Sequence, residues 1–371
     1  MDVKRLGDIA TYINGYAFKP EDRGNVGLPI IRIQDLTGNA YDTGFYAGEY
    51  PSRIEINNGD VLISWSASLG AYVWNRGKAL LNQHIFKVVF DKEPVDKQYF
   101  VYAVRYNLKE MESKTHGATM KHIVKKDFDN TLVPFPSLEK QAEIAGLLQK
   151  VTGIIDARQI ELSRLDELIK ARFVEMFDDG KSPLKTVEEL CSDIVDCPHT
   201  TPKYTGKLKN PAIRTSEIKK GYITWDSMRY VSDEEYEERV SRLRPETGDI
   251  VYGREGTFGN AAILPEGYKF CLGQRVMLLR PDYTKCSSEY LLHAVISDDV
   301  YRQAVGKNNA STVAHVNVKD VKQFKIPLPS FDKQNQFATF VHQVDKSKAQ
   351  VQKSLNETQL LFDSLMQKYF G

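Results

Sequence analysis

The stretch "VPFPSLEKQ" at residues 133–141 is written again, slightly altered, as "IPLPSFDKQ" at residues 326–334. The two phrases stand 193 residues apart, and upstream His122 answers His315 and Asp127 answers Asp320 at the same spacing. Earlier still, "QYFVYAV" pairs with "SEYLLHAV", setting Tyr99 against Tyr290 and Ala103 against Ala294. "NGDVLIS" pairs with "TGDIVYG" through Asp60 and Asp249, and "PIIRIQD" pairs with "PAIRTSE" through Arg32 and Arg214. The order is kept while small insertions shift the offset. The chain is therefore a tandem duplication of a unit of about 185 residues.

Each copy carries the same coarse pattern. Short apolar, β-branched runs bounded by Gly, Pro and Asn predict strands at 30–33, 61–64 and 85–90, then around Ile213, at 250–252 and at 276–279. One amphipathic helix is expected at 99–112 and its counterpart at 290–305. A Pro-x-Pro segment then breaks the chain before a long helical pattern. In the first of these, Leu148, Ile155, Leu162, Ile169 and Met176 recur every seven residues. In the second, Val344, Val351, Leu355, Phe362 and Leu365 form the apolar stripe. Heptad spacing without internal proline signals coiled-coil pairing. Ser137 and Ser330 suit the N-cap, with Glu139 and Asp332 in the positively polarised first turn. Helices of about 40 residues run roughly 60 Å, too long to hide a stripe against one domain. Each is expected to pack antiparallel on the other about a pseudo-two-fold axis, with a globular unit at either end of the rod. The fold class is thus α+β: two tandem α/β domains at 1–136 and 180–329, joined by helices at 137–179 and 330–371.

Composition excludes some classes and leaves others. No apolar run approaches the roughly 20 residues that span a bilayer, and the first residues lack an apolar signal-peptide core. The four cysteines form no dense framework, so reduced thiols in a cytoplasmic protein are expected. A net charge of +1 decides nothing about a polyanionic partner, but local charge is uneven. Between Pro202 and Arg229 seven Lys or Arg oppose only Glu217 and Asp226. Between Arg105 and Lys126 six oppose only Glu110 and Glu112. Such clusters are either solvated surface or anion-binding faces.

Catalytic chemistry is harder to find. There is no Walker-type phosphate loop and no Gly-x-Gly-x-x-Gly after a strand, and "GREGTFGN" at 253–260 lacks that spacing. The nearest approach to an amino-methyltransferase Asn-Pro-Pro-aromatic loop is "NPAI" at Asn210, whose fourth position is not aromatic. Asp96 with Glu112 and Lys114 falls around a helical pattern, not on the adjacent strands that a nuclease needs. Cys191, Cys197 and His199 supply only three zinc ligands, with no counterpart in the first copy, so no metal site is expected. For His122 and His315 a turn-fixing role is favoured over that of a catalytic base or a base-edge contact.

The doubled Gly-Asp-apolar strand, the approach through "TMKHIVKKDFDN" and "PFPSLEKQAEI" before a heptad helix resemble type I restriction-modification specificity subunits. The likeness covers essentially the whole chain, though "IPLPSFDKQNQFATF" departs from the first copy's Glu-Ile after Gln. The resemblance implies a non-catalytic reader of double-stranded DNA with two target-recognition domains, each taking one half of a bipartite, asymmetric site. It also implies two modification subunits as partners, carrying S-adenosylmethionine that this chain does not bind, with restriction subunits joining in some assemblies. Lengthening the helices should then change the accepted spacer and leave the half-sites alone. A protein-binding coiled-coil scaffold and a self-contained modifying enzyme are the alternatives.

Duplication also suggests where reading occurs. Matched residues are expected to be scaffold, and mismatched residues in equivalent loops are expected to be readers. The loop pairs are "QDLTGN" with "SEIKKG", "SWSASLG" with "GREGTFG", "NQH" with "GQR", and "KTHGATMK" with "KNNASTVA". Arg254 and Arg275 have the chemistry for guanine, and Asn82 and Asn308 for adenine. Lys114, Lys121, Lys203, Lys207, Lys219 and Lys307 are the phosphate candidates. Gln83 and Gln274 repeat and are read as structural, and Trp65 as core.

Overall fold

The computed structural model describes residues 2–39, 42–114, 123–178, 180–206, 209–255, 259–307 and 315–371, with the side chains of 113, 114 and 307 outside that description. The chain forms two compact units. One is Met1–Gln159 with Gln352–Gly371, and the other is Ile160–Val351.

In the first unit an antiparallel sheet of four strands runs Thr11–Asn14, Ile85–Val89, Val61–Ser64, Gly70–Val73. A second sheet is ordered Phe45–Tyr46, Leu28–Ile31, Ala79–Leu81, Glu55–Ile56, with its two middle strands parallel. The helix Lys97–Lys114 covers the first sheet. The second unit repeats the antiparallel sheet as Cys191–Asp196, Val276–Pro281, Ile250–Gly253, Ala261–Ile263. Its other sheet again pairs Asn210–Ile213 in parallel with Cys271–Leu272. Central strands such as Val61–Ser64 and Ile250–Gly253 are buried on both faces, which is why they read as continuous apolar runs.

The second amphipathic helix differs from expectation. Instead of one helix at 290–305 the chain makes two, Ser288–Val295 and Asp298–Lys307. The break has a local cause: Ser297 caps the second piece, its Oγ accepting from the Val300 N–H at 3.3 Å.

The long helices run Leu138–Phe177 and Phe331–Phe370, as the heptads predict. In the first unit Ile144 and Leu148, near the start of one, share a core with Phe362, Leu365, Met366 and Phe370, near the end of the other. The second unit shows the converse, Ile169, Phe173 and Phe177 packing with Phe337, Val341 and Val344. Within each unit the pairing is therefore antiparallel. Ile155 and Val351 are also buried, whereas Leu162, Met176, Leu355, Phe362 and Leu365 are half-buried. Lys348 Nζ meets Asp166 at 2.5 Å across the pair.

The repeated phrase makes the joint between domain and helix. Its first residues form a short ladder with the start of the same copy: Val3 opposite Pro134, and Leu184 opposite Pro327. Tyr99 donates its hydroxyl to the Pro134 carbonyl, and Tyr290 donates to Pro327. The last residue is a fully buried glutamine in both copies. Gln141 accepts from the Asp96 N–H at 3.0 Å and donates to the Pro136 carbonyl at 2.9 Å. Gln334 accepts from the Ser287 N–H at 3.0 Å and donates to the Pro329 and Lys285 carbonyls at 3.1 and 3.2 Å. One amide thus ties the long helix to the start of the domain's own helix.

Candidate nucleic-acid interface

Matched residues are occupied in building the domain. Asp60 and Asp249 each accept a backbone N–H three residues back, from Asn57 and Glu246, both at 2.8 Å. Each also holds a cation from the neighbouring strand, Lys87 at 3.0 Å and Arg280 at 2.8 Å. The Arg32 N–H donates to Asp35 at 2.8 Å, and the Arg214 N–H donates to Glu217 at 2.9 Å. Glu217 is fully buried. Burial acts to raise its pKa, but the Arg214 guanidinium and the Ser216 and Ser227 hydroxyls outweigh that and hold it below the usual carboxylate value. These groups fix loops and leave little for a ligand.

Two of the mismatched loop pairs, "SWSASLG" with "GREGTFG" and "NQH" with "GQR", meet at one knot of backbone that both copies tie the same way. In the first unit the Gly15 N–H donates to the Ile85 carbonyl at 3.1 Å, and in the second Cys197 donates to Val276 at 3.1 Å. The Trp65 N–H donates to the His84 carbonyl at 3.3 Å, and Arg254 donates to Arg275 at 3.0 Å. The Ile123 N–H then reaches the Trp65 carbonyl at 3.0 Å, and Val316 reaches Arg254 at 2.9 Å. Trp65 therefore corresponds to Arg254, and His84 to Arg275. His84 and Arg275 both have left-handed backbone, φ 71° and 65°, without being glycine.

At two of the knot's positions the side chains differ in kind, while Gln83 and Gln274 repeat. In the second unit Arg254 is pinned, its Nη2 lying 2.9 Å from Asp196 Oδ1 and its side chain only 10% exposed. Its Nη1 donates to the Val316 carbonyl at 3.4 Å. Arg275 is 60% exposed and rests its Nε 2.9 Å from Glu255 Oε2. The two arginines line a recess with Cys197, Pro198, His199, Glu255 and Gln274. Gln274 donates its amide to Thr201 at 2.9 Å. In the first unit the same positions hold rings: Trp65 and His84 are 5.1 Å apart and tilted by 63°, and Trp65 stacks on Phe86 at 5.6 Å.

Of the sequence-predicted readers, Arg254 and Arg275 are thus brought together. Asn82 sits at the edge of the equivalent knot, half-buried, its Oδ1 accepting from the Gln83 N–H at 2.7 Å. Gly15 passes so near that a Cβ there would lie 2.0 Å from the Asn82 carbonyl oxygen. Lys203 is exposed. Lys219 is half-buried and donates to the Ser216 carbonyl at 3.1 Å. Lys121, His122, Lys207 and Asn308 lie outside the described residues, as do the side chains of Lys114 and Lys307. Asp196, Glu255 and His84 were not singled out from sequence. Glu255 adjoins Arg254 in "GREG", a signal that was legible, but Asp196 is joined to Arg254 only by the fold.

Among the described residues no group of three or more His, Cys, Asp or Glu could hold a metal ion. No helix among them is long and apolar enough to cross a membrane.

The family model for the type I restriction modification DNA specificity domain matches twice, at residues 1–165 and 197–358. The specificity subunit of the Escherichia coli type I restriction enzyme EcoBI is 24% identical, over 98% of this chain and 84% of its own. A similar fold is seen in the solved S subunit of the type I restriction-modification system from M. genitalium. It covers 100% of this chain and 96% of its own with TM-score 0.54 at 14% identity. A chain solved in work on complex assembly and conformational transition of the type I R-M system gives TM-score 0.55 at 18% identity, covering 99% and 97%. At these identities the solved structures speak for a shared fold.

Proposed function

From the premise that this chain belongs to the type I restriction-modification DNA specificity family, we propose that its two domains each read one half of a bipartite, asymmetric DNA target. It is a DNA specificity subunit, and the family is one of specificity domains, not catalytic ones. The observation that carries the reading is the family match on both copies, joined to a backbone knot that is identical in both but furnished with different side chains. A reader of two unlike half-sites needs that combination, since base contacts specify while phosphate contacts position. Lys203, exposed two residues beyond the Thr201 that Gln274 engages, would supply a phosphate contact.

Two modification subunits are the proposed partners, carrying the S-adenosylmethionine and the adenine-methylating chemistry, with restriction subunits able to join them. Support comes from the outward faces of the long helices. Leu147, Ile154 and Leu168 on the first, and Leu360 and Leu361 on the second, remain exposed after the helices have paired, with Leu360 70% exposed. Apolar side chains left on a paired helix suit protein contact. The cysteines are free thiols, in keeping with a reducing cytoplasm.

Methylome sequencing of the source cells with and without this gene tests the proposal. One bipartite adenine-methylation motif should disappear. An unchanged methylome in cells where the partner subunits are active would overturn it.

A further inference from the structure

We infer that Arg275 reads a guanine in the half-site of the second unit, from a left-handed slot that each copy furnishes differently. This rests on the DNA-reading function proposed above and names the chemistry of one of its half-sites. Non-glycine residues seldom occupy the left-handed region, and doing so costs on the order of 1 kcal/mol. Both copies accept that cost at the same point, at His84 and at Arg275, although the residues are unlike. A strained conformation retained while the residue changes points to a role for the backbone there; in the second unit it leaves the Arg275 side chain 60% exposed, whereas in the first it sets the His84 ring against Trp65. Glycine would give the same backbone without strain but would present nothing.

The surroundings of Arg275 prepare it for a planar, bidentate partner. Glu255 engages Nε at 2.9 Å, which fixes the plane of the guanidinium while the side chain stays 60% exposed. The terminal Nη1 and Nη2 groups are then the fork for O6 and N7 of guanine. Arg254 cannot share this task, because Asp196 and the Val316 carbonyl hold it in the floor of the recess. It is a positioning residue whose N–H secures the Arg275 carbonyl. In the first unit Trp65 replaces that arginine and the slot carries an imidazole in place of a guanidinium. The two half-sites should therefore differ at this position.

The test uses the full chain assembled with its modification subunits and S-adenosylmethionine, acting on a randomised DNA library with methylated positions read by sequencing. Arg275→Gly keeps the left-handed backbone and relieves its strain, so the variant should melt no lower than the parent. The parent should demand a guanine at one position of one half-site. Arg275→Gly should relax that position by roughly ten- to hundredfold and leave the other half-site unchanged. Unchanged preference at every position would overturn the inference. So would a uniform loss of methylation across all sequences, which is the behaviour of a phosphate contact. A parent complex with no bipartite preference at all would instead overturn the DNA-reading function, and this inference with it.

Discussion

Replacing Gln334 by methionine keeps the length of the side chain but removes every polar atom, which isolates the role of the amide at the joint. Three hydrogen bonds are lost, to the Ser287 N–H and to the Pro329 and Lys285 carbonyls. At about 1 kcal/mol each the cost is about 3 kcal/mol, more if the buried Pro329 carbonyl finds no water. Gln141→Met loses two bonds, so about 2 kcal/mol. Glutamate is the sharper variant. It can still accept the N–H but cannot donate, and it sets a carboxylate against carbonyl oxygens in a fully buried place. Gln334→Glu should therefore destabilise more than Gln334→Met at neutral pH. Urea unfolding gives the free energies. Hydrogen exchange should localise the loss to Ser288–Val295 for position 334 and to Lys97–Lys114 for position 141. If either methionine variant stays within 0.5 kcal/mol of the parent, roughly the scatter expected of a neutral surface change, the joint is not held by this amide. The same follows if glutamate proves milder than methionine.

Three other outcomes can be checked. His293 lies between Phe173 and Phe337, and burial, helped by Lys348, pushes its pKa down to about 4. Because the folded value lies below the unfolded one, its contribution is complete above pH 6.5 and is lost as pH falls toward 4. At about 1.4 kcal/mol per pH unit the loss totals about 3 kcal/mol, and His293→Leu should flatten the stability profile across that window. Phe337→Ala, which empties a site packed on Phe173 and Phe177, should cost about 3–5 kcal/mol and register as a lower thermal midpoint in calorimetry. Lys203→Ala should weaken DNA binding about equally for all sequences and reduce the slope of log affinity against log salt by about 1, measured by fluorescence anisotropy.

Much of this architecture was legible because it depends on local pattern. Seven-residue spacing set the long helices, and apolar runs between turn residues set the central strands. Ser297 followed by two aspartates is itself a cap signal, so the break before Asp298 was legible too, although the apolar period runs on across it. The burial of Arg254 could not. It depends on Asp196, which lies on a strand far away in the chain and becomes a neighbour only through sheet pairing. The left-handed turns at His84 and Arg275 were equally hidden, since no glycine marks them. The duplication did separate scaffold from variable positions: Gln141 with Gln334, and Asp60 with Asp249, prove to be structural ties.

The division of the helices between the units also sets an order in time. The second unit is one continuous stretch, Ile160–Val351, and can close as soon as it leaves the ribosome. The first cannot. Its core includes Met366 and Phe370, so Tyr99, Tyr102 and Leu148 must wait for them through more than half of the chain's synthesis. At roughly 5–20 residues per second that wait lasts on the order of 10–40 s. The domain made first is thus the domain finished last. A chain cut short near its end should lose the recognition domain at its beginning, while the later one survives.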